Sequence, residues 1–226
     1  MSEGQLSHRQ YPSQKLDAWI AEKVLQEDAA QGFIANKLDR LLDCVIANKS
    51  PKNFFSGSID SLWNRIGLFQ QKSIKGIYIY GGVGRGKTML MDMFFESVKE
   101  STLDNDKMSM IWRLHFHDFM VLAQDLIHEA RQKRVDNPIE FVANELAKRG
   151  RVICFDEMEV RDIADAMILA RLFSRMLDHG TVVVVTSNRH ADDLYKDGLH
   201  RDRFLPFISL LKNHCEMCKL GDGADW

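Results

Sequence analysis

The chain has 226 residues, 45% of them hydrophobic, 27% charged and 9% aromatic, with only 4 prolines. That is the length of one large domain, able to bury ~70% of its unfolded surface without disulfide or metal staples, and the composition excludes disordered, collagenous and low-complexity classes. A formal charge of −2 excludes a global electrostatic footprint for nucleic acid or an anionic membrane.

The longest apolar runs, such as Val182–Val185, fall far short of the ~20 residues needed to cross a bilayer. The first fifteen residues mix Glu3 with Arg9 and Lys15, unlike a secretory signal or an Arg-rich transit peptide. With 4 cysteines and no such signal, a reducing, cytoplasmic setting is expected. A peripheral seat on a membrane stays open, and the mitochondrial matrix is disfavoured.

In chain order, residues 1–15 are polar and read as a mobile N-terminus. Ile34, Leu38, Leu41, Leu42 and Val45 follow the i, i+4, i+7, i+8, i+11 spacing of a buried helical stripe. A loop at Pro51–Ser58 and a shorter helix through Leu62, Ile66 and Phe69 follow, so 16–73 reads as an N-terminal helical segment packed on what comes after it. From residue 74 the pattern becomes strands alternating with helices. Strands are expected at 76–80, 110–116, 152–155, 181–185 and 215–220. Helices are expected at 88–98, around Phe119–Ile127, from Asn137-Pro138 onward, and from Ile163 to a stop at Gly180. The fold class is therefore α/β, a mainly parallel sheet with helices on both faces, occupying 74–226.

Of 14 glycines, four lie within residues 81–86. Gly81-Gly82-Val83-Gly84-Arg85-Gly86-Lys87-Thr88 matches G-x-x-x-x-G-K-[ST], a pattern that chance would place in roughly one chain of this length in a hundred. The glycines let backbone N–H groups turn inward around a phosphate, and the following helix aims its positive end at the same group. Lys87 is suited to the β- and γ-oxygens, and the Thr88 hydroxyl to Mg2+.

Val152-Ile-Cys-Phe-Asp156-Glu157 ends a buried strand on two carboxylates at the sheet edge where open α/β sheets bind ligands. Asp156 suits Mg2+, through water. Glu157 suits activation of an attacking water, which favours hydrolysis over small-molecule phosphoryl transfer. Thr181–Val185 runs into Thr186-Ser187-Asn188, and Asn188 is the candidate to sense the γ-phosphate. ATP with Mg2+ is the expected cofactor set.

This order of parts resembles AAA+ P-loop ATPases. Residues 77–95, 114–120, 152–168, 182–188 and 194–207 closely resemble the AFG-one-like (ZapE) family of ATPases. The resemblance implies ATP hydrolysis coupled to work on protein partners, at the division ring in bacteria or in membrane-protein quality control in mitochondria. It also implies a homo-oligomer with ATP sites shared between subunits. Within Gly198-Leu-His-Arg201-Asp-Arg203-Phe204-Leu-Pro206, Arg201 matches the family's arginine finger, with Arg203 as the fallback. Glu27-Asp28-Ala-Ala-Gln31 matches an acidic-to-Gln segment to which no role is assigned. The family implies further chain after Trp226, containing the lid and a second sensor arginine. Two other readings stay open: a nucleotide-binding module without efficient turnover, and a nucleic-acid-stimulated ATPase resembling helicase loaders.

Other patterns are decoys. Asn36-Lys37-Leu38-Asp39 spells a guanine-reading motif but lies in a helical pattern ahead of the phosphate loop. Cys215-x-x-Cys218 has no second ligand pair for zinc, and on a strand its sulfurs face opposite sides. His115 and His117 would share a face at a strand end, where packing or polar contacts fit better than a metal. The basic clusters Arg131–Arg134 and Lys148–Arg151 are expected at helix ends, where they complement the helix dipole.

Overall fold

The computed structural model describes residues 10–47, 74–102 and 110–221. The expected loop at 51–58 and the helix through Leu62, Ile66 and Phe69 lie outside the described residues.

Among the described residues five strands form one sheet: β1 (Gly76–Gly81), β2 (Ile111–His115), β3 (Val152–Asp156), β4 (Val182–Ser187) and β5 (Cys215–Leu220), in the order β2-β3-β4-β1-β5. Every neighbouring pair is parallel. Strands β3 and β4 are buried along their whole length, as continuous apolar runs covered on both faces should be. Side chains alternate between two cores. Ile77, Ile79, Cys154, Val184 and Leu220 face one side. Tyr78, Ile153, Phe155, Val183 and Val185 face the other.

The first core is closed by α1 (Pro12–Ala21), α2 (Ala29–Ala47) and α3 (Lys87–Glu100). Helix α2 presents the expected stripe, with Ile34, Leu38, Leu41, Leu42 and Val45 all buried. Asp28 caps it, accepting from the Ala30 N–H at 2.8 Å. Helix α1 opens at Pro12, ahead of the expected start at Leu16 and inside the stretch read as mobile. Proline at the first helical position suits a helix start, and the Ser13 N–H donates to Asp39 at 3.0 Å, fastening α1 to α2. Asp39 thus belongs to the surface between two helices, and the N-K-x-D spelling is helical throughout.

The second core is closed by α4 (Phe116–Gln132), α5 (Pro138–Ala147), α6 (Ile163–Asp178) and α7 (Leu205–His214). Its centre is aromatic. Phe119 meets Phe155 edge-on at 4.7 Å, and Phe173 meets Phe207 likewise at 5.0 Å, the orientation ring quadrupoles favour. Asn137 caps α5 through the Glu140 N–H, and Gly180 follows α6 with φ +81°. Met167, on α6, is exposed.

Strand β2 stops at His115, and His117 falls in the first turn of α4. The two histidines therefore lie in different elements rather than on one strand face. No group of three or more His, Cys, Asp or Glu residues arranged to hold a metal occurs among the described residues. No helix among them is long and apolar enough to cross a membrane.

Cys215 packs in the second core and Cys218 in the first, so the C-x-x-C pair straddles the sheet. Burial pushes the Cys215 thiol up to about 12 and the Cys218 thiol up to about 11, and Cys154 is raised for the same reason. Only thiolates react readily. In the native protein at pH 8, a thiol reagent is expected to modify exposed Cys44 first, with Cys154, Cys215 and Cys218 reacting only after denaturation. Fast labelling of Cys215, or a Cys215–Cys218 disulfide by mass spectrometry, would contradict this packing.

Candidate functional site

The phosphate-loop sequence connects β1 to α3. Gly81 ends β1 where a Cβ would meet the Leu220 carbonyl oxygen at 1.8 Å, so only glycine lets β5 pair this closely. Gly86 precedes α3 with φ +90°, a left-handed conformation that costs other residues about 1–2 kcal/mol. Among the described residues no side chain caps the α3 N-terminus, so its first N–H groups face the loop with the positive end of the helix dipole behind them. Lys87 is the first residue of α3 and is buried. Its ammonium donates to the Gly81 and Gly82 carbonyls at 2.9 and 2.6 Å, which sets the charge over the loop. Burial lowers its proton affinity, and the Glu157 carboxylate opposes that shift. An uncapped helix N-terminus with an ammonium across it fits a polyphosphate. Thr88 follows with its side chain exposed.

Asp156 closes β3 and is 6% exposed. Arg113, from the neighbouring strand β2, grips it with a two-pronged contact, Nε to Oδ2 at 2.6 Å and Nη2 to Oδ1 at 3.1 Å. Burial works against the Arg113 charge. Hydrogen bonds to Asp156 and Asp92 outweigh it and raise the guanidinium's affinity for its proton.

Glu157 is exposed just beyond the strand and holds φ +52°. For a residue with a Cβ that is a strained conformation. Strand β4 secures it: the Glu157 N–H donates to Thr186 Oγ1 at 3.1 Å, and the Met158 N–H to the Thr186 carbonyl at 2.8 Å. The buried Ser187 hydroxyl adds a bond to the Met158 carbonyl at 2.8 Å. Three contacts thus fix the turn that presents Glu157, and Asn188 follows Ser187 with its side chain exposed.

Arg201 lies in a short 3-10 turn, Arg201–Arg203. Its Nη2 donates to the Asp192 carbonyl at 2.5 Å, and its Nε is buried without a hydrogen-bond partner among the described residues. It is thus tied back to its own chain, while Arg203 is exposed.

Two contributors were not evident from the sequence. Gln31, on the first turn of α2, donates from Nε2 to the Arg85 carbonyl at 3.0 Å, so the acidic-to-Gln segment supports the phosphate loop. Its only sequence signal was membership of that segment. Arg113 had none beyond being a single charge in an otherwise apolar strand. The basic clusters do sit at helix ends, and Lys133 and Lys148 pair with Glu129 and Glu145.

A parallel sheet in which one inner strand, β1, leads through a glycine-rich loop into a helix with a free N-terminus among the described residues, with a buried Asp ending a nearby strand, defines an AAA+-type P-loop fold. Solved structures agree. The chain superimposes on AMPPCP-bound DnaA from Aquifex aeolicus with a TM-score of 0.53 at 14% identity, covering 88% of this chain and 49% of that one. It superimposes on the DnaC helicase loader with a TM-score of 0.52 at 13% identity, covering 86% and 92%. Residues 10–226 match the AFG1-like ATPase family, and the chain belongs to it. It is 36% identical over 204 residues to the cell division protein ZapE of Escherichia coli K12, covering 89% of this chain and 52% of ZapE. It is 45% identical over 161 residues to lactation elevated protein 1 homolog B of Danio rerio, covering 67% of this chain and 30% of that protein. The chain thus spans about half of ZapE and a smaller share of the fish protein.

Thr186→Val keeps the shape of the side chain but leaves the Glu157 N–H without its acceptor. It is expected to lower stability by about 1–3 kcal/mol, read as an earlier midpoint in urea unfolding.

Proposed function

We propose that this chain hydrolyses ATP in a Mg2+-dependent reaction and couples the cycle to remodelling or regulation of protein partners. The observation that carries the reading is the Lys87 ammonium held over the phosphate loop. Membership of the AFG1-like ATPase family supports it.

The loop N–H groups and the α3 N-terminus bind the phosphates, and Lys87 neutralises charge on the β- and γ-oxygens. Thr88 and Asp156 are the residues that would hold Mg2+. A hard cation of this kind takes one or two carboxylates and completes its shell with waters and phosphate oxygens. When bound, the metal supplies charge neutralisation on the phosphates.

Glu157 orients the attacking water and takes its proton as general base. Its tethered backbone supports that role by fixing the direction in which the carboxylate leaves the strand end. Asn188, at the end of the adjacent strand, hydrogen-bonds the γ-phosphate. Arg201 reaches the site of a neighbouring subunit in a homo-oligomer, releasing Asp192 as it does so. The likeness to a cell division protein supports protein partners over a metabolite substrate.

Glu157→Gln is expected to bind ATP and to hydrolyse it about 10²–10⁴ times more slowly, measured by steady-state phosphate release. Parent-like turnover in that variant would sink the assignment of the base. Absence of turnover in the parent, with binding intact, would favour a nucleotide-binding module instead. Lys87→Ala should weaken ATP binding about 10- to 100-fold, the loss expected for a charged hydrogen-bonding group. Mixing Arg201→Ala subunits with Glu157→Gln subunits should restore part of the turnover that each lacks alone. No recovery despite confirmed co-assembly would assign the finger elsewhere.

A further inference from the structure

Asp156 is not the only carboxylate that Arg113 touches. The guanidinium forks onto both Asp156 oxygens, at 2.6 and 3.1 Å, and its remaining terminal nitrogen bonds Asp92 on α3. Counting side chains alone, Arg113 is 18% exposed, Asp156 8% and Asp92 51%. One cation is therefore shared between a sequestered carboxylate and an accessible one. Asp92 lies one helical turn beyond Thr88, on the same face of α3. The triad thereby links the helix that carries the phosphate loop to the strand that ends in Asp156.

We propose that Arg113 is a positioning residue for the metal-binding carboxylate, and that Asp92 takes over its guanidinium when Asp156 turns to the cation. This rests on the reading of Asp156 as a Mg2+ ligand. Two carboxylates against one guanidinium leave a net negative charge, so the triad attracts a cation. The fork occupies one lone-pair site on each Asp156 oxygen, however, and a divalent ion beside a guanidinium is repelled by it. The guanidinium must yield for the ion to bind well. An Arg113 that let go of Asp156 with no second partner would leave a charge unpaired in a largely buried place, which is costly. Asp92 removes that cost because the contact already exists. The Phe95 ring, 6.0 Å from the guanidinium carbon, gives the cation an aromatic neighbour beside Asp92 on the same helix. Asp92 therefore sets how much Mg2+ is needed to draw Asp156 away from Arg113.

The test is a MgCl2 titration of the binding of a fluorescent, non-hydrolysable ATP analogue to the full chain, followed by anisotropy, in the parent, Asp92→Asn, Arg113→Lys, the double variant and Asp156→Asn. Asp92→Asn confines the guanidinium to Asp156 and should raise the Mg2+ concentration for half-maximal binding about tenfold. Arg113→Lys keeps the charge but not the fork, and its half-point should lie at or below that of the parent. In the double variant the half-point should return to within about twofold of the parent. An Asp92→Asn half-point equal to the parent's overturns the proposal. So does a double variant that stays as high as Asp92→Asn alone, because Asp92 would then act by its own charge and not through Arg113. Should Arg113→Lys fail to fold, Asp92→Glu carries the test: it restores the carboxylate and should stay within about threefold of the parent, and a tenfold rise there overturns the proposal. If Asp156→Asn shifts the half-point and Asp92→Asn does not, the inference fails while the metal assignment stands. If Asp156→Asn leaves the half-point unchanged, both fail.

Discussion

The parallel hydrogen-bond ladder is the constraint on which everything else depends. Because all neighbouring strands run the same way, their carboxyl ends emerge along one edge of the sheet. Gly81 from β1, Asp156 from β3 and Ser187 from β4 reach that edge on three strands that are consecutive in space, in the order β3-β4-β1. The proposed phosphate cradle, the proposed metal-binding carboxylate and, just past Ser187, the proposed sensor Asn188 are thereby drawn together from segments far apart in the chain. The burial of β3 and β4 on both faces makes this register hard to change, since a one-residue slip would send Phe155 to the wrong core.

Local signals and pairings between distant segments differ in how far they could be read in advance. Strands β1 to β4 were legible as short β-branched or aromatic runs, and α2 through its apolar stripe. The glycine-rich loop was legible because each of its positions answers a local backbone need. The end of β3 was legible because the apolar run 152–155 stops on two acids, Asp156 and Glu157. Arg113 was not legible: its partners lie 21 and 43 residues away, and neither hydrophobic period nor turn chemistry carries that information. Gln31 is similar, reaching a carbonyl 54 residues further along the chain. The early start of α1 was hidden because Ser13 and Gln14 are polar, and its anchor is a tertiary bond to Asp39.

The same comparison explains why the net charge of −2 says little about function. The site concentrates opposite charges at close range, with Lys87 and Arg113 set against Asp156, Asp92 and Glu157. Electrostatic work is done between near neighbours, most enclosed at the Arg113–Asp156 contact, and the sum over the chain averages it away. Salt should therefore affect this protein's surface pairs, such as Lys133–Glu129, more than the Arg113–Asp156 contact, which is mostly enclosed.

Glu157 stands in a backbone conformation that its own side chain disfavours, held there by contacts from the next strand. Glycine or asparagine would occupy that position with less strain. Selection for robustness alone would thus push against glutamate here, and a laboratory search for heat-resistant variants that did not also demand turnover should discard it early. Under the proposed role of Glu157 as general base, comfort and chemistry pull against each other at this one residue.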